Sequence, residues 1–208
     1  MRRFLFRLII IAVPATILAS CMGHTSSNED MLKLLASVEK KVHCPKNVFC
    51  PEAKLEFYDS LLKVVRSEND RNGAEYNIGN TYLELGNEQQ AVTILETLLH
   101  RVSIPGHDLE EQKIVMKALG MAYLRLGERT NCVHDHSNQS CIFPIAGKGV
   151  HANKTGSQKA IELFTVLLEN DAADHESQWL LNVAYMTIGG YPQQVPAVDS
   201  RQWSYRQH

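Results

Sequence analysis

Five side chains able to hold a metal ion or close a covalent ring crowd one stretch of this chain. Cys132, His134, His136, Cys141 and His151 fall within twenty positions. In Cys132-x-His134-x-His136 the donors recur at near-alternating spacing, which an extended loop can aim at one cation. Imidazole suits Zn or Cu, and thiolate favours Cu(I) or Zn. The simpler chemistry is a disulfide that closes the loop and leaves the histidines in solvent. Oxidised sulfur cannot bind as thiolate, so His134, His136 and His151, with Asp135, would then be the remaining ligands. The spacing matches no C-x-x-C metal motif, and the loop-closing reading is preferred.

Other chemistry is poorly supplied. No G-x-S-x-G, H-E-x-x-H or G-x-G-x-x-G occurs, so the usual hydrolase, zincin and dinucleotide signatures are missing. Lys148 between Gly147 and Gly149 lacks the rest of a phosphate-cradling loop. Glu110, Glu111 and Glu128 read as solvated helix-surface charges, His175 as a surface residue near a helix start, and Trp179 as core. No nucleophile has a supporting partner, and the chain is expected not to be an enzyme.

The N-terminus supplies an address. Arg2, Arg3 and Arg7 precede an apolar run from Leu8 to Leu18, which is too short for a lasting membrane span. Leu18-Ala19-Ser20-Cys21 then resembles the lipobox of bacterial lipoproteins, in which the thiol is acylated and becomes the new N-terminus. Residues 1–20 are thus expected to be a signal peptide, Cys21 the lipidation site, and 21–30 a tether. Met22 carries no obvious inner-membrane retention signal, so the expected place is the cell envelope, at the outer membrane. Export puts the remaining cysteines in an oxidising compartment. An even set of four, Cys44, Cys50, Cys132 and Cys141, implies two disulfides. Three connectivities exist; the local pairs Cys44–Cys50 and Cys132–Cys141 are the simplest, each stabilising by about 2–3 kcal/mol.

The elements that must position these groups read as helical. Met31, Leu34, Leu35 and Val38 share one helical face, and after Pro51 so do Leu55, Tyr58, Leu61, Leu62 and Val65. No run alternates β-branched and polar residues, and the predicted fold is all-α. Gly79, Tyr82, Gly86, Ala91 and Leu95 lie at offsets of 0, 3, 7, 12 and 16; Gly120, Tyr123 and Gly127 repeat the first three, and Asn182, Tyr185 and Gly189 form a third partial copy. The pattern resembles the tetratricopeptide repeat. A small residue lets the first helix of a pair approach its partner, Tyr fills the gap, and the later Gly ends the first helix in a turn. In the second copy the expected small residue is Cys132, and the pair Ala160 and Phe164 arrives 28 positions late (160 minus 132). Residues 128–156 therefore read as an insertion, long enough to suggest a role, with Ile142-Phe-Pro-Ile145 packing it onto the helices.

Asn131-Cys132, His136, Ser140-Cys-Ile-Phe-Pro-Ile145, Gly149-Val-His151, Thr155-Gly-Ser157, Trp179-Leu-Leu-Asn-Val-Ala-Tyr-Met186 and Tyr191-Pro192 together resemble one particular region. It is the helical-repeat N-terminal part of bacterial FG-GAP (VCBS-repeat) proteins that also carry an ASPIC/UnbV domain. The resemblance spans roughly residues 70 to 196. It implies the helical-repeat architecture; the β-propeller that follows in such proteins has no counterpart up to His208, so nothing the propeller does is carried over.

The whole composition fits this picture. The 208 residues are 44% hydrophobic and 21% charged, enough for a sizeable core. Without the three leader arginines, 18 basic residues face 23 acidic ones, near −5, which argues against nucleic acid as a partner. The expectation is a tetratricopeptide-like α-solenoid over 31–190 with a tail over 191–208. It would grip a protein or peptide through Asn77, Asn80, Glu84, Lys117, Arg125 and Asn182, and the membrane through its lipid. The last helix, lacking a second helix to cover it, would be closed by the tail, a partner or self-association. The alternative is a Cu or Zn protein using the insertion.

Overall fold

Three helices begin where a short polar side chain can take up a loose backbone N–H. Ser67 accepts from the amide of Asp70, Asp108 from that of Glu110 at 3.0 Å, and Asp174 from that of Ser177 at 3.1 Å, the usual remedy for unpaired donors at a helix start. Turn glycines do the matching work at two helix ends, Gly86 at φ 69° and Gly189 at φ 77°, where any other residue would be strained.

The computed structural model describes residues 26–42, 49–133 and 137–196. The chain divides into two units, one ending at Cys50 and the other beginning at Pro51. The first holds α1 (Ser26–Val42), with Glu29 in its first turn and Lys40 and Lys41 in its last, charges that complement the helix dipole. Its apolar residues Met31, Leu34, Leu35 and Val38 are exposed. The helix starts inside the segment read as tether, because Ser26 to Asp30 joins the turn that the later apolar residues continue.

The second unit runs α2 (Pro51–Leu62), α3 (Glu68–Glu84), α4 (Glu88–Val102), α5 (Leu109–Cys132), α6 (Thr155–Asn170) and α7 (His175–Ile188). Pro51 stands at the first helical position, as expected. Among the described residues there is no strand, and no described helix is long and apolar enough to cross a membrane. Each helix from α2 onward packs on its successor, and α5 also touches both α3 and α7. The all-α expectation holds.

Two glycines set the close approaches. A Cβ on Gly79 would lie 2.8 Å from the Leu95 side chain, and one on Gly120 would lie 2.8 Å from the Phe164 ring. Ala91 and Ala160, four residues before those large partners, are fully buried, as are Leu95 and Phe164 themselves. The same contact thus recurs between α3 and α4 and between α5 and α6, despite the long link within the second pair.

Gly127 departs from expectation. It does not end its helix but lies inside α5, which runs on to Cys132. A Cβ there would meet Ser157 and His151, and one on Gly156 would lie 2.5 Å from the Tyr123 carbonyl. The two glycines let α5 and α6 touch backbone to backbone, and that packing keeps the chain helical where the local sequence suggested a turn. The non-helical link is therefore shorter than 128–156.

Candidate functional site

Faces of α3 and α5, Leu167 near the end of α6, the turn from α6 into α7 and the first turn of α7 line a groove of about 620 Å³. Its apolar floor comes from α5, where Ile114, Ala118 and Met121 recur at helical spacing, with Tyr76 of α3 beside them. Ile114 is 53% exposed although it belongs to the central helix of the array.

Charge surrounds this floor in fixed pairs. Lys113 bonds Glu110 at 2.7 Å. Lys117 reaches across to the start of α7, 2.9 Å from Asp174 and 3.1 Å from Glu176. Burial alone would lower the Lys117 pKa, but its bonds to these two carboxylates raise it above the ordinary value. Burial would likewise raise Asp174, yet Lys117 and Ser177 bring it below the usual carboxylate value. These ions hold one another, and the lysines are already engaged.

The six expected contact residues separate. Asn80 and Lys117 line the groove. Glu84 is engaged outside it by Lys54 of α2 at 2.6 Å, and Arg125 is exposed further along α5. Asn77, Asn80 and Asn182 each donate an amide hydrogen to the carbonyl four residues earlier, of Gly73, Tyr76 and Gln178. That leaves mainly their carbonyl oxygens for a ligand. Ile114, Lys113, Asp171, Asp174 and Glu176 were not expected at the site. The spacing of Ile114, Lys117, Ala118 and Met121 along one face was the signal for the α5 part.

The link between α5 and α6 is tied down at both ends. Asn131 donates to the Asn153 carbonyl at 2.9 Å and accepts from its amide at 2.8 Å, while Lys154 bonds the Ile188 carbonyl at 2.8 Å. In the middle the Gln139 side chain accepts from the Lys148 amide at 2.8 Å. Of the stretch expected to pack the link onto the helices, Ile142 is exposed and Phe143, half exposed, meets α7 at Trp179, while the buried anchors are Gly149 and His151. Trp179, expected in the core, is 49% exposed, with its ring centroid 6.1 Å from that of Phe143. Leu180 and Leu181 take the core-facing places beside it.

The Cys/His residues behave differently from one another. His151 is buried, its Nδ1 3.2 Å from the Ser157 hydroxyl, which also accepts from Thr187 at 2.7 Å. Burial holds its pKa below 6.5. No disulfide joins the described cysteines Cys50, Cys132 and Cys141. Burial, Glu128 and Cys141, in that order, raise the Cys132 thiol pKa against a lowering bond from Ser140, which disfavours thiolate. Among the described residues no three His, Cys, Asp or Glu side chains are grouped to hold a metal. Cys21, Cys44, His134 and His136 lie outside the described residues.

Glu111, read as a solvated charge, instead accepts from the buried Asn72 at 3.1 Å. Asn72 in turn accepts from Arg101 at 2.9 Å, joining α3, α4 and α5.

No family model matches this chain, and no curated protein or solved structure proved similar to it.

Proposed function

We propose that this chain is a lipid-anchored protein of the bacterial cell envelope that binds another protein without catalysis, through tetratricopeptide-like helical pairs. The observation that carries the reading is the groove along α3, α5 and α7, with Ile114 open on its floor. Covering the exposed part of Ile114, beside Ala118 and Met121, with an apolar side chain of a bound segment would favour binding. The recurring Gly79–Leu95 and Gly120–Phe164 contacts support the repeat architecture, since a stack of equivalent helix pairs leaves one long face for binding. The family resemblance over roughly residues 70 to 196 implies the same helical-repeat architecture. Cys132 and Cys141 would close the link by a disulfide after export, and the Lys-Gly-Val-His segment that follows would hold its far end on α7.

The experiment is photo-crosslinking in living cells with the reactive group placed at residue 114, and at Val166 on α6 as control. A discrete protein adduct from 114 alone is expected. No adduct at 114, or equal labelling at both sites, overturns the reading. Cys21→Ser is expected to prevent fatty-acid incorporation and to release the protein from membranes; unchanged membrane fractionation removes the lipid anchor.

A further inference from the structure

We infer that the groove takes a cationic amphipathic protein segment, one that presents lysine or arginine beside leucine-like residues. The inference rests on the protein-binding reading and names the chemistry of its partner. Glu110, Asp171, Asp174 and Glu176 line the groove against only Lys113 and Lys117. Both lysines are engaged: Lys113 by Glu110 at 2.7 Å, and Lys117 by Asp174 and Glu176 at 2.9 and 3.1 Å. An incoming carboxylate could still reach a remaining N–H of Lys113 or Lys117, but it would sit where four acids already outnumber two lysines. An incoming ammonium or guanidinium group meets Glu110 and Glu176, whose side chains are 69% and 62% exposed, with oxygens still able to accept. Lys117 is in this view a positioning residue that fixes two acids of the wall. The exposed Ile114 supplies the apolar contact between the charges, so a segment that is only basic recovers too little.

The groove volume of about 620 Å³ suits a few side chains of one segment. Charge complementarity of this kind sets partner choice and association rate, and weakens as salt rises.

The full chain would be titrated with three synthetic fluorescent peptides, read by anisotropy. One carries leucine at helical spacing with lysine elsewhere, the second has glutamate for every lysine, and the third has serine for every leucine. The lysine–leucine peptide is expected to bind best, with the other two at least about tenfold weaker. Ile114→Ser and the double variant Glu110→Lys, Glu176→Lys should each weaken that peptide about tenfold. Glu128→Lys, outside the groove, should leave it unchanged. Circular dichroism and melting of each variant show whether it has folded, and Ile114→Thr provides a second test of the floor. Equal or better binding of the glutamate peptide overturns the inference, as does loss of binding in Glu128→Lys to the same degree. Self-association of the wild-type chain that Ile114→Ser abolishes would seat a second copy in the groove and overturns it too. If crosslinking at residue 114 captures an acidic partner segment, protein binding stands and this inference alone falls.

Discussion

The imidazole of His151 is closed in by Gly127, Ser157 and the last turn of α7, and its own backbone amide donates to the Thr187 carbonyl at 2.8 Å. A hydroxyl pair, Ser157 and Thr187, satisfies the ring on one side without supplying an opposite charge. Burial therefore disfavours the imidazolium, and the folded state releases the proton at lower pH than the unfolded chain does. The unfolded chain binds more protons between the two pKa values, so stability is full above about pH 6.5 and falls as the pH drops below it. The expected outcome is a melting temperature that declines from pH 7.5 to pH 5, with a shallower decline in His151→Gln. Parallel curves for the two proteins would show that His151 does not carry the effect. A metal bound by this ring through Nδ1 would have to displace Ser157, a change visible in the same melts on adding Zn²⁺ or Cu²⁺.

At the scale of elements, the two glycine contacts are the features that make helix pairs from this sequence. Gly120→Ala gains intrinsic helix propensity of up to about 1 kcal/mol, but its methyl group meets the Phe164 ring at 2.8 Å. In a packed core the clash outweighs the gain, and a net loss of about 1–3 kcal/mol is expected in urea unfolding. Phe164→Leu in the same chain should recover part of that loss; no coupling between the two changes would mean that α5 and α6 do not meet there. These contacts were legible in the sequence because Gly79 to Leu95 and Gly120 to Phe164 keep the same order, with Ala91 and Ala160 four residues before the large partner. What was not legible came from neighbours distant in sequence. Gly127 has the local signature of a turn, yet its face packs on Gly156 and Ser157, which holds it helical. Trp179 has the size of a core residue, but Leu180 and Leu181 fill the adjacent core places and turn it outward beside Phe143. The groove was half legible: Asn80 and Lys117 followed from helix phase, while Asp174 and Glu176 depended on where α7 begins relative to α5.

The second unit as a whole is wired mainly between neighbours along the chain. Each helix from α2 to α7 packs on the next, and α5 also touches α3 and α7 more lightly. Its hydrophobic clusters follow the same order, one of Leu98, Val102 and Val115, one centred on Leu95 and Leu119, and one on Phe164 and Leu181. Stability in such an array is close to a sum of local terms and neighbour contacts, so damage at one end need not reach the other. Phe164→Ala removes a fully buried ring from the last of these clusters and is expected to cost about 3–5 kcal/mol there. Hydrogen exchange read by mass spectrometry should then show faster exchange in α6 and α7, while α2 and most of α3 keep wild-type protection. The long α5 is the shared wall of all three clusters, and its two ends should differ, the Leu124 end losing protection before the Val115 end. A uniform loss across all six helices would instead make the unit one cooperative block. The α7 wall of the groove would then be no more adjustable than the core, whereas locally divided stability lets α7 shift to fit a bound segment while α3 stays fixed.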